Sequence, residues 1–223
     1  MCESAWKVVT PDLDSHAAVE RLALASRRLA CDRLERAAGF LDLIDIAWCR
    51  VAIPQEVLAE AVATVEQHRG EQPSFFYNTF HYRLAYVASV VLLLCDDTPP
   101  DLLRRLYEAC RPSGLMYVGI LQHPNSQLVL RKALFLKYSA RYPRIREHMS
   151  ALEVGRGDPD ISRILARSKN LAVVERLRRP PVDERTMTRD IREHLTYSHY
   201  QSADPKHFGL PYDKGQLWGW QEP

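Results

Sequence analysis

Apolar residues recur at three- to five-residue steps along most of the chain, and caps and breakers cut that pattern into helices. Asp14 or Ser15 can cap a long first helix carrying Ala18, Leu22, Ala25, Leu29 and Leu34, with Gly39 as its expected stop. Phe40 to Ile53 is a short apolar piece, either helix or buried connector. Pro54 suits the first turn of the next helix, which shows Val57, Leu58, Ala61 and Val65 on one face and Gly70 at its end. From about Tyr77 to Cys95 the pattern is apolar nearly all round, which predicts a helix in the middle of the structure.

Thr98 before Pro99-Pro100-Asp101 opens a helix to about Arg111, and Leu115 to Gln122 is a short apolar piece. Pro124-Asn125-Ser126 starts a helix whose Leu128, Leu130, Ala133, Leu134 and Leu136 predict a broad apolar face. Pro143 interrupts it, and a basic piece runs to Leu152. Gly155-Arg156-Gly157 reads as a turn and Asp158-Pro159 as a helix start. The helix that follows is expected to carry Ile161, Ile164, Leu165, Leu171, Ala172 and Leu177 inward, with Arg163 and Arg167 outward. Pro180-Pro181 separates it from a last helix at about 183–200. No alternating run bounded by turn signals makes a convincing strand. The expected fold is therefore all-α, a helical bundle or a short α-α repeat array. One helical domain is expected over 1–200, with a subdivision near 97–100 as an alternative, followed by an extended aromatic tail over 201–223.

Composition narrows this little: 46% of the 223 residues are hydrophobic and 26% charged, the balance of an ordinary globular chain. No apolar run reaches the ~18 residues that span a bilayer, and the first residues show no basic stretch followed by an apolar one. No membrane association and no secretory leader are expected. The five cysteines are scattered, which argues against a disulfide framework and for a reducing, intracellular compartment, with the cytoplasm the first expectation and an organelle the second. Charge is uneven: residues 1–100 carry fourteen acids against nine basic residues, whereas 101–223 carry fourteen against twenty-one. Arginine supplies twenty-four of the thirty basic residues. A GC-rich genome produces the same bias. If it is functional, Arg163 and Arg167 are the candidate contacts to phosphate or to an acidic partner.

Chemistry is sparse. Phosphate-loop, dinucleotide and zinc-protease motifs are absent, the histidines show no metal-ligand spacing, and neither cofactor nor metal is expected. Phe75 to Tyr82 carries five aromatics, which fit core packing better than base stacking because Arg83 is the only nearby cation. In the tail, Phe208, Tyr212, Trp218 and Trp220 are too apolar to be left in water. They are expected to pack either on their own chain or on a partner, a second subunit or a second copy.

Two resemblances add expectations. Asp101-Leu102-Leu103-Arg104-Arg105-Leu106, then Leu121-Gln122-His123-Pro124-Asn125, then Leu128-Val129-Leu130-Arg131-Lys132-Ala133-Leu134 resemble a HEAT or armadillo repeat over about 98–152. Ile-Arg-Glu-His at 145–148 and again at 191–194 repeats at a spacing those families use. The resemblance implies an interaction protein or a subunit of an assembly. Arg189-Asp190-Ile191-Arg192-Glu193-His194 resembles the motif of HEPN ribonucleases. That resemblance implies metal-free RNA cleavage, with His194 handling the 2′-hydroxyl proton and Arg189 steadying the phosphate, and makes RNA the second partner class. The same string also fits a plain surface helix with Arg189 paired to Glu193. The reading taken forward is a non-catalytic interaction protein, docking through its aromatic tail and basic second half.

Overall fold

The computed structural model describes residues 15–68, 80–109 and 114–182. Among these it is all-α: eleven helices and no strand. The chain divides into two compact units, with the boundary between Asp97 and Thr98.

The first unit contains α1 (Ser15–Leu29), α2 (Arg33–Trp48), α3 (Gln55–Gln67) and α4 (Phe80–Leu94). The expected single helix up to Gly39 is two helices. Asp32 breaks it by accepting hydrogen bonds from the backbone N–H groups of Leu34 and Glu35, the geometry of an N-cap. Gly39 stops nothing; it lies inside α2 where α1 packs closest. A Cβ there would stand 2.9 Å from the Ala25 carbonyl oxygen, so its missing side chain permits the approach. The true stop is Arg50, a non-glycine residue at φ 58. Its N–H bonds to the Ala47 carbonyl and that of Val51 to the Ile46 carbonyl, the paired closure of a Schellman motif. Pro54 caps α3, whose Val57, Leu58, Ala61, Val62 and Val65 are buried. α4 packs against both α2 and α3, and Val87, Ala88, Val90, Val91 and Leu92 are all buried, as expected of a helix apolar on every side. Gly70 and residues 69–79 lie outside the described residues.

The second unit contains α5 (Pro100–Ala109), α6 (Gly114–Gln122), α7 (Leu128–Tyr138), α8 (Pro143–Ala151), α9 (Glu153–Gly157), α10 (Pro159–Ala166) and α11 (Leu171–Arg178). α8 is its hub, packed by α6, α7, α9, α10 and α11 around buried Ile145 and Met149. The turn from α6 to α7 is closed by polar groups. Arg131, buried on α7, donates from Nη2 to the His123 carbonyl at 3.0 Å, and Asn125 donates to the Thr98 carbonyl at 3.0 Å. Gln122 and His148 link α6 to α8.

Three expectations fail in this unit. Gly155-Arg156-Gly157 is helical, in α9, and its first glycine serves close packing rather than a turn: a Cβ on Gly155 would meet the Met149 carbonyl oxygen of α8 at 2.1 Å. The helix opened by Pro159 does not run on to Leu177. Asn170 interrupts it and caps α11 through the Ala172 N–H, so Leu171 is 77% exposed rather than inward, Ala172 is exposed too, and Val173 is the buried residue. On α7 only Leu130 and Leu134 of the expected face are buried, while Leu128, Ala133 and Leu136 are exposed.

Candidate functional site

α10 presents Ile161 and Leu165 to the core, so Arg163 and Arg167, about half a turn away, face solvent and are exposed as expected. Its start is fixed by Asp158, which accepts from the N–H groups of Asp160 and Ile161 at 3.0 and 3.1 Å. Those bonds, the one from Ile161 first, hold the Asp158 carboxyl below its ordinary pKa, with Lys132 adding to the effect. Lys132 reaches Asp158 at 3.1 Å and Asp160 at 2.6 Å, and these two carboxylates hold its ammonium above the usual lysine range, Asp160 most.

α11 is pinned at both ends. At its start the Asn170 amide donates to Glu147 Oε1 of α8 at 3.2 Å. At its end the Arg156 guanidinium donates to the carbonyls of Arg176 and Arg179 at 2.7 Å each and to that of Ser150 at 2.8 Å. The cation thus sits on the carbonyls that a helix leaves unsatisfied, where the helix dipole favours positive charge. Beyond it, the Val182 N–H bonds to the Ala151 carbonyl at 2.9 Å. This scaffold holds Arg176, Arg178 and Arg179 exposed at the end of a fixed helix.

Residues 156–179 therefore carry seven basic side chains against three carboxylates. Asp158 and Asp160 are already engaged by Lys132, with Arg163 also 4.0 Å from Asp160, which leaves Glu175 as the remaining acid. Chemically the surface can attract and hold carboxylates or phosphates. Among the described residues no group of three or more His, Cys, Asp and Glu side chains is placed to hold a metal ion.

The other sequence-stated candidates, Arg189, His194, Phe208, Tyr212, Trp218 and Trp220, lie outside the described residues, as do the Phe75–Thr79 aromatics.

Two arrangements have no counterpart in the sequence reading. In the second unit Tyr117, buried, stacks on Tyr138 with ring centres 4.1 Å apart; Tyr107 and Tyr142 lie 6.2 and 6.0 Å from Tyr117. Lys137 stands over Tyr138 at 5.2 Å and Arg141 over Tyr142 at 5.5 Å. The only local hint was the i,i+4 spacing of Tyr138 and Tyr142. In the first unit Asp42 and Asp45 of α2 are buried and held from α1. Arg21 reaches Asp42 at 3.1 Å and Asp45 at 2.5 Å, and Arg28 bridges Asp42 at 2.6 Å and Glu35 at 3.1 Å. Asp45 Oδ1 has no hydrogen-bond partner. Burial pushes the Asp45 carboxyl up to about 7, against the pull of Arg21 and with a further push from Asp42. Two acids inside the apolar run Phe40–Ala47 were the overlooked signal.

Comparison with protein-family models, with curated proteins and with solved structures gave no match. Among the described residues no helix is long and apolar enough to cross a membrane.

Proposed function

We propose that this chain is a non-catalytic interaction protein whose second unit docks an acidic protein partner through the exposed cations of α10 and α11. The observation that carries the reading is the pinning of α11 at both ends beneath a basic surface whose neighbouring carboxylates are mostly spent on Lys132. A charge cluster held on a fixed scaffold loses less entropy on binding than one on mobile side chains and loops. The aromatic segment from Phe208 to Trp220 belongs to the same reading by composition alone, as an anchor for the partner or for a second copy.

The test is binding of the purified chain to a fluorescent peptide rich in aspartate and glutamate, and to a single-stranded RNA of equal charge, across a salt series. The peptide is expected to bind, with affinity falling as salt rises. Reversing charge with Arg163→Glu and Arg167→Glu together should weaken it by about tenfold or more. Indifference to that reversal would overturn the surface, and much tighter binding of RNA would replace the acidic protein with a nucleic acid.

A further inference from the structure

α7 carries a second apolar row on the side away from its buried Leu130 and Leu134. Val129 is 70% exposed and Leu136 50%, and Ala133 and Ala140 are exposed with them. Ser139 keeps helical angles after the last helical residue, so Ala140 continues the row. Steps of four, three and four residues bring all four positions within an arc of about 60°, the geometry of a helix-packing seam. Large and small residues alternate along it, Val129 then Ala133, Leu136 then Ala140, which leaves hollows for the knobs of another helix.

Charge says what kind of helix. Lys137 and Arg141 run along one edge of the row, each lying against a tyrosine ring of the second unit. On the other edge Lys132 is occupied by Asp158 and Asp160. The row therefore has one cationic edge, in a segment, residues 98–182, with sixteen basic side chains against seven acidic ones. A second copy suits it poorly. Across an antiparallel two-fold the Lys137–Arg141 edge would face itself, and four side chains on about three helical turns bury far less than the ~800 Å² per partner of a stable dimer.

We propose that this row seats an amphipathic helix of the partner, with leucine-type residues at i, i+3 or i+4, and i+7, and carboxylates along the edge that meets Lys137 and Arg141. This rests on the acidic-partner reading and gives that partner a shape. The basic surface of α10 and α11 supplies charge, and α7 supplies the apolar register.

The full-length chain is titrated into three labelled synthetic helical peptides: a leucine row with glutamate edges, the same row with lysine edges, and a serine row with glutamate edges. The first should bind at least about tenfold more tightly than either other. Val129→Ser with Leu136→Ser removes side chains that are exposed, so the melting temperature should hold. These changes should weaken the leucine–glutamate peptide about tenfold and leave the serine–glutamate peptide unchanged. Equal binding of those two peptides, or serine variants that bind like the parent, would overturn the proposal. If charge reversal at Arg163 and Arg167 still weakens both glutamate peptides in that case, the basic surface survives without the row. A dimer that dissociates on Leu136→Ser would overturn the assigned occupant in favour of a second copy.

Discussion

Replacing Asp45 by asparagine should make the folded chain relatively more stable the higher the pH. Asp45 is buried beside Arg21, with one oxygen unpartnered, and burial outweighs the arginine in setting its pKa near 7 rather than 3.8. Between those two values the folded chain keeps a proton that the unfolded chain has released. The stability it gives is therefore whole below pH ~4, is lost progressively as pH rises to ~7, and stays lost above. Over that interval, at about 1.4 kcal/mol per pH unit, the loss comes to at most about 4 kcal/mol. Asparagine has nearly the shape of the protonated acid and nothing to ionise, and Arg21 keeps its bond to Asp42. Urea unfolding of parent and Asp45→Asn chains at pH 5 and pH 8 isolates the effect, because the other titrating groups are shared by the two chains. The difference in unfolding free energy, variant minus parent, should rise by a few kcal/mol from the lower pH to the higher. A difference that falls instead would mean that Asp45 is ionised and stabilised by Arg21, and that attraction wins over burial.

Further substitutions test the local geometry, each by thermal or urea unfolding. Gly155→Ala should cost about 3 kcal/mol, since its Cβ would press on a backbone oxygen of Met149 that cannot swing away, whereas Gly157→Ala, with nothing within 4 Å, should be neutral or gain up to about 1 kcal/mol. Arg50→Gly should stabilise by about 1 kcal/mol by relieving the left-handed conformation that closes α2; a loss would show that the arginine side chain contributes more than its backbone costs. Asp158→Ala should cost about 1–2 kcal/mol through the lost cap of α10, and Asp158→Asn should recover most of it because the amide oxygen still accepts from the Ile161 N–H.

Where the chain carries its own punctuation, the sequence reading holds. Asp158-Pro159 and the prolines before Asp101 start helices at or within a residue or two of where they should, and Pro143 separates two helices as an interruption should, though it also opens the second of them, α8. It fails where a neighbour decides. Gly39 and Gly155 looked like stops because glycine is a poor helix former, yet each lies in a helix, at a point where its missing Cβ admits another stretch of backbone. Leu171 looked like core because it is apolar; the Asn170 cap turns α11 so that Val173 takes that place. Arg163 and Arg167 were legible because their face is opposite Ile161 and Leu165 within one helix. The arginines that hold Asp42 and Asp45 come from another helix, 14 to 24 residues away, and no local spacing announces them.

Four of the six described tyrosines, Tyr107, Tyr117, Tyr138 and Tyr142, gather around one stack in the second unit, against Tyr82 and Tyr86 in α4, so that unit supplies most of their fixed-ring signal. Tryptophan occurs at positions 6, 48, 218 and 220, none of them between Thr98 and Ser198. Near-ultraviolet circular dichroism in the tyrosine band reports fixed ring packing, and it vanishes when that packing loosens even if the helices persist. Of the four, only Trp48 lies among the described residues, in α2 of the first unit, and replacing the other three by phenylalanine leaves its emission as the reporter of that unit. Following both signals through one denaturation shows whether the two halves of the chain melt as a single cooperative body or in turn.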